Sequence, residues 1–324
     1  MAKVVFVVGA SRSGTSVLAE ALGRHPEVFA TEELHFYNLL DPKAATRPDA
    51  GRHLVSQLCV VQDEAGFFAV KNGEIAEWPD PPENAIARPG EAVFPAYLDW
   101  LARREGASVI VEHTPMNLYY RERIRAEFAQ AGFLLMKRDP RAILASQKRR
   151  WIGVQKGARD IPDEDIQRVR WSGHPILQLL MLRPTLRAID EAANEPDVLP
   201  VVYEELVRKQ DDVLSGVSGW LGLAFDRSMT EVSDSGSSHS GEEGRTGFDP
   251  ARLESWKKTL SVTETWLVER FFHRHLQQSP SGANPSPLEL AMLLLTFPVA
   301  TAMAAYYSSK SYGNLFDAMR KRFL

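Results

Sequence analysis

Across 324 residues the sequence contains one cysteine, Cys59. A lone thiol forms no internal disulfide, and a zinc site built on cysteines is excluded with it. Cys59 stands between Leu58 and Val60, a setting that predicts a buried structural thiol rather than a nucleophile. No cluster of His, Cys and Asp has metal-ligand spacing, so no metal is expected. Positive charge is not in excess either. The 38 Lys and Arg face 42 Asp and Glu, a formal net charge of −4, which offers no electrostatic reason to expect nucleic acid as a partner; an anionic ligand has to be held locally. No targeting leader is visible. Only Met1, Ala2 and Lys3 precede the apolar run Val4 to Val8, which is too short for a signal-peptide core, so a cytoplasmic protein is expected. With 44% hydrophobic and 25% charged residues, disorder, collagen and a multi-span membrane protein are disfavoured.

What is present is a series of short, fully apolar runs separated by segments of helical spacing, the signature of an α/β fold with a central parallel sheet. The runs are Lys3–Val8, Val28–Ala30, Ser108–Val111, Phe133–Met136 and Val198–Val202. Helices are expected over 15–22, with Gly23 and Pro26 as its stop, over about 91–104, over 118–131, and from Pro140 with Asp139 as N-cap. The runs lead into Gly9 to Ser16, Glu32 to His35, Glu112 to Thr114, Arg138 to Arg141 and Tyr203 to Glu205. In an open α/β sheet ligands bind beyond the carboxyl ends of the strands, so these five segments are expected to converge. The organisation read from this is a single domain over 1–278 with helical insertions, a linker over 279–287, and a helical appendage over 288–324.

Gly9 to Ser16 follows a buried strand and opens a helix, the arrangement that aims backbone N–H groups and a positive helix end at an anion. The spacing Gly9-x4-Gly14 fits a nucleotide-binding P-loop, but Thr15 and Ser16 occupy the places where Lys and then Ser or Thr would stand. A P-loop nucleotide kinase is the weaker alternative for that reason, and a non-catalytic nucleotide-binding membrane adaptor is a third. The cation has moved into the loop as Arg12. Between Lys137 and Arg150 lie six basic residues and one acid; Arg138, where a strand meets a capped helix, can present its fork to a phosphate, while Arg141, Lys148, Arg149 and Arg150 are undecided between ligand and solvated surface.

Three motifs in order carry a resemblance. Ser11-Arg12-Ser13-Gly14-Thr15-Ser16 resembles the 5′-phosphosulfate loop of sulfotransferases that use 3′-phosphoadenosine 5′-phosphosulfate (PAPS), in the arginine form of tyrosylprotein and carbohydrate sulfotransferases. Arg138-Asp139-Pro140-Arg141 with Ser146 is similar to the 3′-phosphate motif of that family. Tyr203-Glu204-Glu205-Leu206 and Trp220 to Asp226 resemble its Tyr-Glu-Asp-Leu segment and the stretch after it. The resemblance implies a P-loop-containing fold and transfer of a sulfuryl group from PAPS to a hydroxyl of a small-molecule, carbohydrate or lipid acceptor, leaving adenosine 3′,5′-bisphosphate. It also implies that Ser11, Arg12, Ser13, Gly14, Thr15 and Ser16 hold the 5′ side, with Arg12 stabilising the leaving phosphate. Arg138 and Ser146 would hold the 3′-phosphate, Tyr203 would contact the adenosine, and Arg245 would lie in a loop closing over the cofactor. Glu33 matches the catalytic base of both the tyrosylprotein branch (His25-Pro26 with Glu32-Glu33) and the heparan branch (Glu33-Leu34-His35-Phe36). His35 would orient Glu33 or the acceptor. His113 stands where heparan-type relatives carry Lys, and its imidazole is a second base candidate.

Residues 60–90, with Trp78, and 149–185, with Trp151, Trp171 and His174, are expected insertions that wall the crevice. Ser233 to Gly247 is rich in Ser and Gly. From Leu290 to Tyr307 eighteen uncharged residues follow one another, with Pro298 as an interruption, and Lys310, Arg320, Lys321 and Arg322 against Asp317 form a basic tail. The readings are a helical hairpin packed on the domain or on a partner subunit in a homo-oligomer, a peripheral anchor on a membrane surface, or a tail-anchored span.

Overall fold

A computed structural model describes residues 2–40, 50–63, 93–155, 163–232 and 247–312. The chain divides into two compact units, one of residues 1–136, 192–201 and 209–233 and one of 137–191, 202–208 and 234–324.

The first unit carries a five-stranded parallel sheet in the order β2-β3-β1-β4-β5. The strands are β1 (Lys3–Gly9), β2 (Val28–Ala30), β3 (Val109–Glu112), β4 (Gly132–Lys137) and β5 (Val198–Val202), the five expected runs within two residues. The central strand is apolar on both faces because both are covered: Val5 through Val8 are fully buried. In register, Phe6 lies opposite Glu112 of β3 and Gly9 opposite Met136 of β4. Helices α1 (Thr15–Gly23), α2 (Ala50–Asp63), α3 (Val93–Glu105) and α4 (Arg121–Glu127) follow in chain order. Cys59 is buried on α2, as its neighbours foretold. The expected helix over 118–131 is shorter. A 3₁₀ turn, Pro115–Tyr120, precedes α4, and Phe128 is already extended, because the chain turns there to enter β4. Gly132 opens that strand where a Cβ would lie 2.5 Å from the Trp220 ring. An ion-pair cluster fastens α4 to the turn before β5: Arg121 Nη2 bonds Glu195 at 2.9 Å and Arg125 Nε bonds Asp197 at 2.8 Å. These arginines hold the Glu195 carboxyl below its ordinary range.

The second unit is helical: α5 (Pro140–Gln155), α6 (Asp163–Ser172), α7 (Pro175–Ala192) and α8 (Tyr203–Arg208). After α9 (Gln210–Leu221), which belongs to the first unit, come α10 (Trp256–Thr259), α11 (Val262–Phe271) and α12 (Pro287–Tyr312). Asp139 caps α5 as expected, its Oδ1 accepting Arg141 N–H at 2.9 Å with Pro140 at the first helical position. A reciprocal capping box, Ser261 with Glu264, starts α11. Residues 279–287 are tied down: Ser281 N–H donates to Glu269 Oε1 at 2.8 Å and Ser286 N–H to Thr263 Oγ1 at 2.9 Å. Pro298 does not interrupt α12, which continues through it. Proline removes only one N–H of the ladder, and Pro298 lies on the exposed side of the helix.

Candidate functional site

The turn after β1 is folded tightly enough to require its glycines. Gly9 has φ 152°, and a Cβ there would stand 2.8 Å from the Met136 carbonyl and 3.0 Å from Ser13 Oγ. Arg12 (φ 73°) and Gly14 (φ 104°) both take the left-handed region, and Ser13 N–H closes the turn on the Ala10 carbonyl at 3.0 Å. Gly14 is the N-cap of α1 and supplies no side chain to its first-turn amides. Ser13 is fully buried and its Oγ has no hydrogen-bond partner among the described residues. A buried hydroxyl left over inside such a loop fits a ligand oxygen better than it fits the bare turn.

Glu33 lies three residues beyond β2. Its Oε1 is 3.5 Å from Ser16 Oγ, on the first turn of α1, and its Oε2 is 3.4 Å from His35 Nε2. Glu33, His35 and Ser16 thus come together at the carboxyl edge of the sheet. The Glu33 side chain is 37% exposed, so its carboxylate is open to solvent on one side. Glu32 is exposed beside it, pointing away as adjacent residues on extended backbone do.

What holds that segment is Glu112, a residue to which the sequence assigned no role. Fully buried at the end of β3, its carboxylate accepts Leu34 N–H at 3.2 Å, Thr114 N–H at 3.1 Å, the Thr114 hydroxyl and the Asn117 amide. Thr114 Oγ1 in turn accepts His35 N–H at 3.1 Å, and His35 takes the left-handed φ of 52°. Burial pushes the Glu112 carboxyl up, against the hydrogen bonds from Thr114 and Leu34. The sequence signal for it is a Glu closing a strand whose other residues are all apolar. Glu112→Ala leaves four donors facing a cavity, with an expected cost of about 2–3 kcal/mol in urea unfolding and a lower kcat. Because its native pKa is raised, the folded state holds this proton more tightly than the unfolded chain; stability falls as pH rises from the ordinary carboxylate value through the raised one. Glu112→Gln removes that slope. His113, next along, is buried, and its Nδ1 has no partner among the described residues.

In the second unit Arg138 follows β4 directly and lays its guanidinium over the Tyr203 ring, 4.0 Å from the centroid. Tyr203 therefore supports Arg138, whatever else it touches. Glu204 Oε1 accepts Asp139 N–H at 3.0 Å while Oε2, buried, has no partner among the described residues. Burial raises the Glu204 carboxyl, and the nearby Arg138 charge opposes this. Ser146 is buried on the second turn of α5.

Three other members of the basic window are held by protein partners. Arg141, 1% exposed, bonds Asp139, Glu269 and the carbonyls of Gln278 and Ser279. Lys148 pairs with Glu264 at 2.7 Å, and Arg149 donates to Thr259 Oγ1 at 2.8 Å. Among the expected insertion residues, His174 Nε2 meets Thr296 Oγ1 at 3.1 Å. Arg245, Trp78 and the side chains of Arg150 and Trp151 lie outside the described residues. Among the described residues no group of three or more His, Cys, Asp and Glu is placed to hold a metal ion.

Comparison with known proteins gives this arrangement a family. A Caenorhabditis briggsae protein provisionally named a protein-tyrosine sulfotransferase is 22% identical over 263 residues, covering 78% of this chain and 80% of that protein. The sulfotransferase domain of the Synechococcus PCC 7002 olefin synthase is 18% identical, with a TM-score of 0.45, and covers 91% of this chain and 94% of that one. A sulfotransferase domain from the curacin biosynthetic pathway is 16% identical, with a TM-score of 0.45, over 83% and 97%. The model of a sulfotransferase family matches residues 4–227, more than half of the sequence, running from within β1 to just beyond α9, and the chain belongs to the sulfotransferase family.

Proposed function

We propose that the protein moves a sulfuryl group from PAPS to a hydroxyl of a small-molecule, carbohydrate or lipid acceptor. The observation that carries the reading is the Glu33 carboxylate set against Ser16 of the phosphate-type loop and against His35. The buried Ser13 hydroxyl, without a partner among the described residues, and the Gly9 cradle fit a sulfonucleotide's 5′ oxygens. Bound there, PAPS supplies the sulfuryl group and a phosphate leaving group. Glu33 takes the proton from the acceptor oxygen as it attacks, and His35 fixes the orientation of that carboxylate. Arg12 and the loop amides stabilise charge that develops on the leaving side. Arg138, kept flat on Tyr203, and Ser146 are assigned to the 3′-phosphate.

Calorimetry tests the donor. Adenosine 3′,5′-bisphosphate is expected to bind without magnesium, and Arg138→Ala to weaken it about 10- to 100-fold while leaving adenosine 5′-monophosphate nearly unchanged, the loss expected for a charge-assisted phosphate contact. Equal losses for both ligands would remove the 3′-phosphate assignment. Magnesium-dependent ATP binding in its place would favour a kinase, against which the loop itself already speaks, since Thr15 stands where that chemistry needs Lys.

A further inference from the structure

The C-terminal helix carries an observation that sulfuryl transfer does not use. Helix α12 is 26 residues long, about 39 Å at 1.5 Å per residue, and has no charged residue between Glu289 and Lys310. One side of it packs on α6, where Ala300 and Ala304 are buried and His174 meets Thr296 and the Phe297 ring. The other side is an apolar stripe open to solvent. Leu288 is 73% exposed, Met292 58%, Leu295 78%, Val299 57% and Tyr306 51%, at spacings of three, four and seven that line one helix face. Isolated exposed apolar residues are ordinary, but a continuous row of this length is a contact surface.

We infer that this stripe seats the protein on an anionic phospholipid surface, with α12 lying in the interface plane. Three features choose this occupant. The stripe runs into positive charge: Lys310 is exposed at its end, and Arg320, Lys321 and Arg322 follow in the sequence against Asp317 alone, a complement to anionic headgroups. Three helix hydroxyls bond within the helix, Thr296 donating to the Met292 carbonyl at 2.8 Å, Thr301 to Phe297 at 2.9 Å and Ser309 to Tyr306 at 2.7 Å, as an apolar medium demands. Packing on α6 buries Ala300 and Ala304, so acyl chains cannot surround the helix on all sides, which suits a helix lying in the interface rather than a lone span. A protein held this way meets amphiphilic hydroxyl compounds at the same surface. The docking itself stands apart from the sulfotransferase reading, because it uses none of its residues.

The test is sedimentation of the full chain with vesicles of phosphatidylcholine alone and of phosphatidylcholine with phosphatidylglycerol. The protein is expected to sediment with the second, to be released by high salt or an alkaline wash, and to lose about tenfold or more in vesicle affinity in Leu295→Glu/Val299→Glu. Those side chains are exposed, so thermal stability and adenosine bisphosphate affinity should be unchanged in that variant, which separates loss of docking from loss of folding. Three outcomes overturn the inference: no sedimentation with the anionic vesicles, retention through the alkaline wash, which marks a span, or a dimer in sedimentation velocity that the same double substitution abolishes while vesicle binding stays absent.

Discussion

Glu33→Gln is expected to lower transfer of label from radiolabelled PAPS to acceptors in a cell extract by about 10²- to 10⁴-fold, with adenosine 3′,5′-bisphosphate affinity within twofold of the unsubstituted protein. The amide keeps an oxygen to face Ser16 and nearly the same shape, so the site is preserved while the basic carboxylate lone pairs are lost. The pH profile separates this from a disturbed loop. If Glu33 is the base, activity of the unsubstituted protein falls on the acid side as the carboxylate protonates, and the residual activity of the variant lacks that limb. A variant with a normal rate would dismiss Glu33 and turn attention to His113, whose Nδ1 is buried without a partner among the described residues. A variant with the low rate but an unchanged acid limb would place the titrating group elsewhere, with Glu33 only orienting the acceptor.

The parts of this fold that could be read along the chain are those whose cause is local. Val5 to Val8 form a strand buried on both faces, and an unbroken apolar run bounded by glycine says so directly. Asp139 before Pro140 marks a helix start for the same reason. Glu33 and His35 share one short motif, so their pairing was legible along the chain, while Ser16 meets Glu33 only at the sheet edge. Glu112 was not legible as a support: a Glu closing an apolar strand hints at burial, but its donor at Leu34 is 78 residues away. The basic window shows the same limit more sharply. Arg138, Arg141, Lys148 and Arg149 form one charge run, yet only the partners of Arg141 at Glu269 and Ser279, 128 and 138 residues on, reveal that it is a core residue. Pro298 misleads in the opposite direction: a local rule marks a break, whereas the exposed side of a helix accommodates the ring.

Arg141 yields the largest expected loss of stability. Its guanidinium is 1% exposed and bonds Asp139 through Nε at 3.0 Å and Nη2 at 2.7 Å, Glu269 Oε1 at 2.8 Å, and the Gln278 and Ser279 carbonyls at 3.1 and 3.2 Å. One face lies 4.3 Å from the Trp256 centroid. Asp139 is 2% and Glu269 10% exposed, so Arg141→Met strands two carboxylates with little access to water. Breaking a buried pair from one side costs about 3–5 kcal/mol, and urea unfolding of the second unit should register it. Arg141→Lys is expected to recover only part of this, since an ammonium cannot bond two carboxylates and two carbonyls in one plane or stack on the indole. The contrast with Arg138→Ala is what makes the pair informative. Close together on one chain segment, Arg138 should govern bisphosphate affinity at nearly constant stability, and Arg141 stability at nearly constant affinity, measured well below the unfolding transition. If Arg141→Met instead lost affinity as steeply as Arg138→Ala while unfolding normally, the buried network would be a ligand site, and the division of this basic run into one phosphate contact and several supports would fail.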